Sequence, residues 1–211
     1  MEVSVADAAD ALGVSRVRVR QLIDAGRVRA RKVGGIWLVD GASLPSASRR
    51  VRPMSPAVAR QFVEEHPQGL SPQEAYRRRL RRDRLAHDPE PARLLADWLA
   101  ARARREVYRA REPLALLDDP AIIPSGLSDS RSGMSAADIV EGYVSHQDLP
   151  VVLRHHLLRP GGSDSNVILH VVDELPSDPV PPLVLAADLA DHDGPRELAR
   201  AEQIIRAVLA S

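Results

Sequence analysis

Glycines at 13, 26, 34 and 35 divide the stretch LGVSRVRVRQLIDAGRVRARKVGGIWLVD (residues 12–40), and this spacing limits the possible folds more than any bulk property. Ser4-Val5-Ala6-Asp7 has the Ser-x-x-Asp form of a helix start, in which side chains satisfy otherwise unpaired amides. Val5, Ala8, Ala9 and Leu12 then recur at helical spacing, and Gly13 ends the segment. Ser15 suits the N-cap of a second helix whose Val19, Leu22 and Ile23 form one apolar stripe, closed by Gly26. Val28 to Val33 alternates apolar and basic residues in strand fashion. Gly34-Gly35 makes a tight turn, and Ile36-Trp37-Leu38-Val39 returns. Helix, short turn, helix and β-hairpin predict a winged helix-turn-helix over residues 1–45.

Between positions 16 and 32 the same stretch gathers Arg16, Arg18, Arg20, Arg27, Arg29, Arg31 and Lys32 against a single acid, Asp24. If Val19, Leu22 and Ile23 face the core, then Arg16, Val17, Arg18, Arg20 and Gln21 point outward. An arginine can hold guanine through two hydrogen bonds, and glutamine can do the same with adenine. Ser15, at the helix start, offers a hydroxyl and a backbone N–H to a phosphate. Arg27, Arg29 and Arg31 share one face of the first hairpin strand, where with Lys32 they suit backbone phosphates. Trp37 is expected to pack the wing onto the helices. A solvated basic helix face is the plain alternative, but it does not explain the glycine spacing. The segment is therefore expected to bind double-stranded DNA, with its second helix in the major groove. ALGVSRVRVRQLIDAGRVRARKVGGIWLV resembles the compact helix-turn-helix of MerR-type regulators and phage excisionases. That resemblance spans residues 3–44 and implies DNA binding. No heptad seam follows it, so effector sensing is not carried over.

Residues 46–112 read as a basic linker and helical connector. GASLPSASRRVRPMSP (41–56) is small, polar and basic, and helices are predicted over 56–66, 72–87 and 91–111. The last places Leu94, Leu95, Trp98 and Leu99 on one face, with Arg102, Arg104 and Arg105 beyond. YRRRLRRDRLAH (76–87) could extend a DNA footprint, but a solvated helix face is the favoured reading. Residues 113–211 read as a small α+β domain. It has a Ser/Gly-rich loop at 125–133, strands at 138–145 and 166–172, and a helix at 149–158. Two closing helices, 183–191 and 195–210, are separated by His192-Asp193-Gly194. The expected class is mainly α with small β elements.

Net charge is zero, but residues 1–112 hold 23 Lys+Arg against 14 Asp+Glu, while residues 113–211 hold 6 against 15. Such a split suggests different partners for the two parts. With no cysteine, disulfides and thiolate metal sites are ruled out. No signal peptide and no apolar run of membrane-spanning length is visible, so a cytoplasmic protein is expected. His155 and His156, adjacent in a predicted helix, should point about 100° apart and not share an ion. Ser125, Ser128, Ser130 and Ser132 lack a nucleophile elbow. Asp188, Asp191 and Asp193 are expected at a solvated helix end. No catalytic residue, cofactor or metal site is expected, and the chain is not expected to be an enzyme.

Asn166-Val167-Ile168-Leu169 and the run Asp188-Leu189, Gly194-Pro195-Arg196 and Ala201-Glu202 resemble the C-terminal domain of AbiEi-family antitoxins, over roughly residues 120–210. The resemblance implies an antitoxin that represses its own operon through an N-terminal domain. Its C-terminal domain would neutralise a nucleotidyltransferase-like toxin. The N-terminal unit departs from that family's usual winged helix in being excisionase-like. A homodimer on a symmetric operator is expected. An ordinary helix-turn-helix regulator or excisionase-like factor without a toxin partner is the alternative.

Overall fold

The structure is a computed structural model that describes residues 2–12, 14–24, 28–41, 52–134, 138–162 and 164–210. It is mainly α-helical with small sheets. Contacts divide the chain into two compact units, residues 1–51 and 52–211. The predicted linker falls largely outside the described residues. The segment read as a connector supplies three helices and a strand to the second unit. No helix among the described residues is long and apolar enough to cross a membrane.

The first unit runs β1 (Glu2–Ser4), α1 (Val5–Leu12), α2 (Arg16–Asp24), β2 (Ala30–Val33) and β3 (Ile36–Asp40). The Ser4/Asp7 cap forms as its spacing predicts. Asp7 N donates to Ser4 Oγ at 3.1 Å, and Ser4 N and Oγ donate to Asp7 Oδ2 at 3.2 and 2.7 Å. Gly34 and Gly35 have φ of +56° and +85°, the left-handed conformations that let a two-residue turn match the twist of its strands. A third strand was not foreseen: β1 pairs antiparallel with the open edge of β3, Val3 opposite Val39. Three residues are too few to show a period, so β1 is set by the edge it completes. The core is Ala8, Ala9, Leu12, Val19, Val28 and Val39, with Val3, Val5, Leu22, Ile23 and Ala30 packed around it.

In the second unit, α3 (Pro56–Val63), α4 (Pro72–His87), α5 (Pro91–Trp98), α7 (Pro182–Ala190) and α8 (Pro195–Ala210) accompany a five-stranded sheet. Its order is β5 (Ile123–Pro124), β6 (Val140–Ser145), β8 (Val167–Val172), β4 (Arg104–Arg109) and β7 (Arg159–Pro160). β6 and β8 are parallel, joined by a crossover that contains α6 (Leu149–His155). The expected helix 91–111 is corrected: it stops at Trp98, and residues 104–109 are a strand between β8 and β7. The hydrogen-bonding edge of buried β8 outweighs the weak helical preference of RREVYR, an override that local spacing does not register.

Strand alternation gives the sheet two different faces. Val140, Val144, Val167, Leu169 and Val171 join Leu149 and Val152 of α6 in an apolar cluster. The opposite positions, Glu141, Tyr143 and His170, carry polar groups, and Asp188 of α7 bonds to Tyr143 at 3.0 Å. Helix α7 is buried from Leu183 to Ala190, as an all-round apolar helix must be. Leu94, Leu95, Trp98 and Leu99 are buried as their spacing predicts, with Phe62 edge-on to Trp98 at 5.7 Å.

Candidate nucleic-acid interface

Helix α2 turns Val19 fully into the core and half-buries Leu22 and Ile23, which fixes what its other face must show. Arg16, Val17, Arg18, Arg20 and Gln21 are all exposed, Val17 at 64%. Ser15 caps the helix, its Oγ accepting from Arg18 N at 3.2 Å, so its O–H remains a donor. Arg18 Nη1 donates to Gln21 Oε1 at 3.2 Å. The two side chains thus form a pair one helical turn apart, and a base edge would meet them together.

On the hairpin, Arg31 opposes Leu38 and Lys32 opposes Trp37, so Arg29 and Arg31 lie on one face. Arg29 Nη2 lies 3.3 Å from Asp40 Oδ2. The Lys32 ammonium sits 6.0 Å from the centre of the Trp37 ring. Trp37 therefore serves as a platform for a cross-strand cation, which corrects the expectation that it packs wing to helices; Val28 and Val39 do that instead. Ile36, at the hairpin tip, is 65% exposed, an apolar wing tip that the strand pattern did not single out. Arg27 lies outside the described residues.

The α4 arginines divide by function. Arg78 donates to Gln61 O at 3.0 Å and to Glu64 O, and Arg82 donates to Val208 O at 2.7 Å. These two hold neighbouring carbonyls. Arg79 lies over Tyr76 at 5.5 Å and Arg84 over Trp98 at 5.6 Å. The solvated-face reading of 76–87 misses the two that turn inward.

A buried polar cluster in the second unit was missed altogether. Asp188, expected at a solvated helix end, is fully buried. Its Oδ1 accepts from Arg102 Nε at 2.8 Å and from Tyr143 OH at 3.0 Å, and its Oδ2 accepts from Ser125 Oγ. Arg102 Nη2 also reaches Asp191 Oδ2 at 2.5 Å. Burial opposes the charge on Arg102, but Asp188, Tyr143 and Asp191 outweigh it and raise its pKa well above the ordinary value. Glu141 receives His170 Nε2 at 2.9 Å, His192 Nε2 at 2.8 Å and Leu127 N at 3.0 Å. Burial alone would raise the Glu141 pKa, but the two imidazoles bring it down to about 2. Gly126, at φ +53°, gives that carboxylate its space, since a Cβ there would overlap it. Every buried side-chain polar atom among the described residues has a hydrogen-bond partner. The cluster is spread over residues 102–192, so no local spacing could reveal it.

The rings of His155 and His156 do not diverge. Helix α6 ends at His155, and the ring of His156, the next residue, stacks on that of His155 at 4.7 Å and 12°. A separation of 100° holds only between two helical residues, and His156, at φ −92° and ψ 8°, lies just past the helix, so the expectation is corrected.

Together, a capped recognition helix with its basic side outward and a hairpin wing make the first unit a DNA-binding helix-turn-helix domain. Residues 2–44 match a protein family described as a helix-turn-helix domain. No curated protein and no solved structure matches the chain.

Proposed function

We propose that this chain is a DNA-binding antitoxin that represses its own toxin–antitoxin operon. The observation that carries the DNA half is the exposure of Arg16, Val17, Arg18, Arg20 and Gln21 around a fully buried Val19. In this reading α2 enters the major groove and Arg16, Arg18 and Gln21 meet base edges. Ser15, Arg29, Arg31 and Lys32 meet phosphates. A homodimer would place two such helices on a symmetric operator.

The antitoxin half rests on the AbiEi resemblance and on the acidic excess of residues 113–211, which complements a basic nucleotide-handling partner. Two of the residues that carry that resemblance are structural here. Asn166 clamps Ala110 by accepting from its N–H at 2.8 Å and donating to its carbonyl at 3.0 Å, while Asp188 anchors α7. They support a shared scaffold rather than a toxin-contacting surface. We read the chain as a binding protein and not an enzyme, because buried Asp188, Glu141 and His170 spend their hydrogen bonds on neighbouring side chains.

The test has two arms. Fluorescence anisotropy on the DNA upstream of its own gene should show sequence-selective, salt-dependent binding. Co-expression with the neighbouring reading frame's product should give a co-purifying complex and rescue growth. Selective DNA binding without complex or rescue would favour an ordinary regulator or excisionase-like factor, with which the helix-turn-helix match agrees equally well.

A further inference from the structure

At the C-terminal end of α6 the second unit has a cleft of about 740 Å³. On its wall Asp119, His155 and His156 each present one donor atom, all within 4.8 Å of one another. His156 Nε2 lies 2.8 Å from Asp119 Oδ2. The other carboxylate oxygen, Oδ1, accepts from Ala121 N at 2.9 Å, which fixes the plane of the group. Stacking at 4.7 Å keeps the two imidazoles side by side.

The chain leaves α6 sharply beside this pair. Leu157, directly after His156, has φ +50°, a left-handed conformation that a leucine rarely adopts. The residue is 78% exposed, and Leu158 N donates to Leu153 O at 2.9 Å, the bond that closes a helix through a left-handed residue. The conformation breaks α6 at the point where both rings reach the same wall. Glu112, Asp118 and Asp148 line the cleft as well, against a single cation, Arg111, so the surroundings favour a positive guest.

We propose that Asp119, His155 and His156 bind one divalent first-row transition ion, with Zn²⁺ the best match. Two imidazole nitrogens and one carboxylate oxygen are donors of the type zinc accepts, whereas Mg²⁺ and Ca²⁺ take oxygen sets. Donors around zinc stand about 3.3 Å apart, given bonds of roughly 2.0–2.2 Å. Exposed His155 would rotate to close the remaining gap, giving up part of its stack on His156. Three protein ligands leave a fourth position facing the cleft, open to water or to a donor from a bound molecule. The site is independent of the DNA and antitoxin readings.

The test is calorimetric titration of the full-length chain, without a histidine tag, with ZnCl₂ at neutral pH. One ion should bind per chain. His155→Ala and Asp119→Asn should each weaken binding by about tenfold or more, on the scale of losing a metal-site interaction. His87→Ala, on the exposed face of α4, should leave it unchanged. Far-UV circular dichroism checks that each variant is folded; His155→Gln, at the exposed position, replaces any variant that is not. No binding by the wild type, or a smaller loss in a folded variant at either position, overturns the site.

Discussion

In the first unit Arg16, Arg18 and Arg20 stand exposed on α2, whereas in the second Arg102 is 9% exposed and held between Asp188 and Asp191. The same side chain does opposite work in the two settings. On α2 its charge is kept in water, contributes little to stability and is available to a polyanion. At position 102 its charge has lost water and is compensated by two carboxylates and a phenol, so removing one partner leaves another charge stranded. Charges in the first unit should therefore govern affinity, and those in the second should govern folding.

The most direct way to break this contrast is Asp188→Ala. It strips Arg102, Tyr143 and Ser125 of a shared acceptor in a closed space. The expected loss is about 3–5 kcal/mol, read as a lower urea midpoint for the second unit. A change below about 1 kcal/mol would mean that water enters and the cluster is not closed, as surface ion pairs behave.

Arg18→Ala is the converse. Stability should stay within about 0.5 kcal/mol, as at exposed surface sites. Affinity for the preferred DNA sequence should fall by about 1–3 kcal/mol and preference should relax at one base position. Because Arg18 bonds to Gln21 at 3.2 Å, the double variant with Gln21→Ala should cost less than the sum of the two. Equal losses on every sequence would show that α2 does not read bases.

What could be read from the sequence follows from how local each signal is. The Ser4/Asp7 cap, the Val19 stripe and the Gly34-Gly35 turn are set by neighbours within four residues, and each is found where spacing puts it. Strand β4 needed the edge of β8, some sixty residues on, before RREVYR could be anything but the tail of a helix. Asp188 sits in an apolar run, LVLAADLA, that does signal burial. Its partner Arg102 is 86 residues away, so local spacing predicts a solvated carboxylate. The stacked histidines depart from the spacing for a smaller reason: the helix ends at His155, three residues before the predicted 158.

The pH dependence sharpens the second half of the comparison. Burial lowers the His192 pKa, but its bond to Glu141 outweighs this and the net shift is upward from 6.5. Its contribution is therefore complete below about pH 6.5 and fades as pH rises through the raised value. Glu141, lowered from 4.5 to about 2, contributes above pH 4.5 and fades as pH falls toward 2. The second unit should be most stable between these limits. The advantage of wild type over His192→Gln in urea denaturation should shrink as the solution is made alkaline. An advantage independent of pH would mean that His192 acts by packing alone.

The smallest effect tests the wing. Arg29 is paired with Asp40 at 3.3 Å, but with side chains 76% and 37% exposed the pair is worth little and can yield to a phosphate. Arg29→Ala should weaken binding to all sequences alike and reduce the slope of log K against log salt by about one. Asp40→Asn should act in the opposite direction, since it removes a carboxylate that competes with phosphate for Arg29; a modest gain in affinity, equal on specific and random duplexes, is expected. Titrations of both duplexes over a range of salt concentrations measure slope and selectivity together. If Arg29→Ala instead erased selectivity with the slope intact, the hairpin would be reading sequence, and the division between a base-reading helix and a phosphate-holding wing would have to be redrawn.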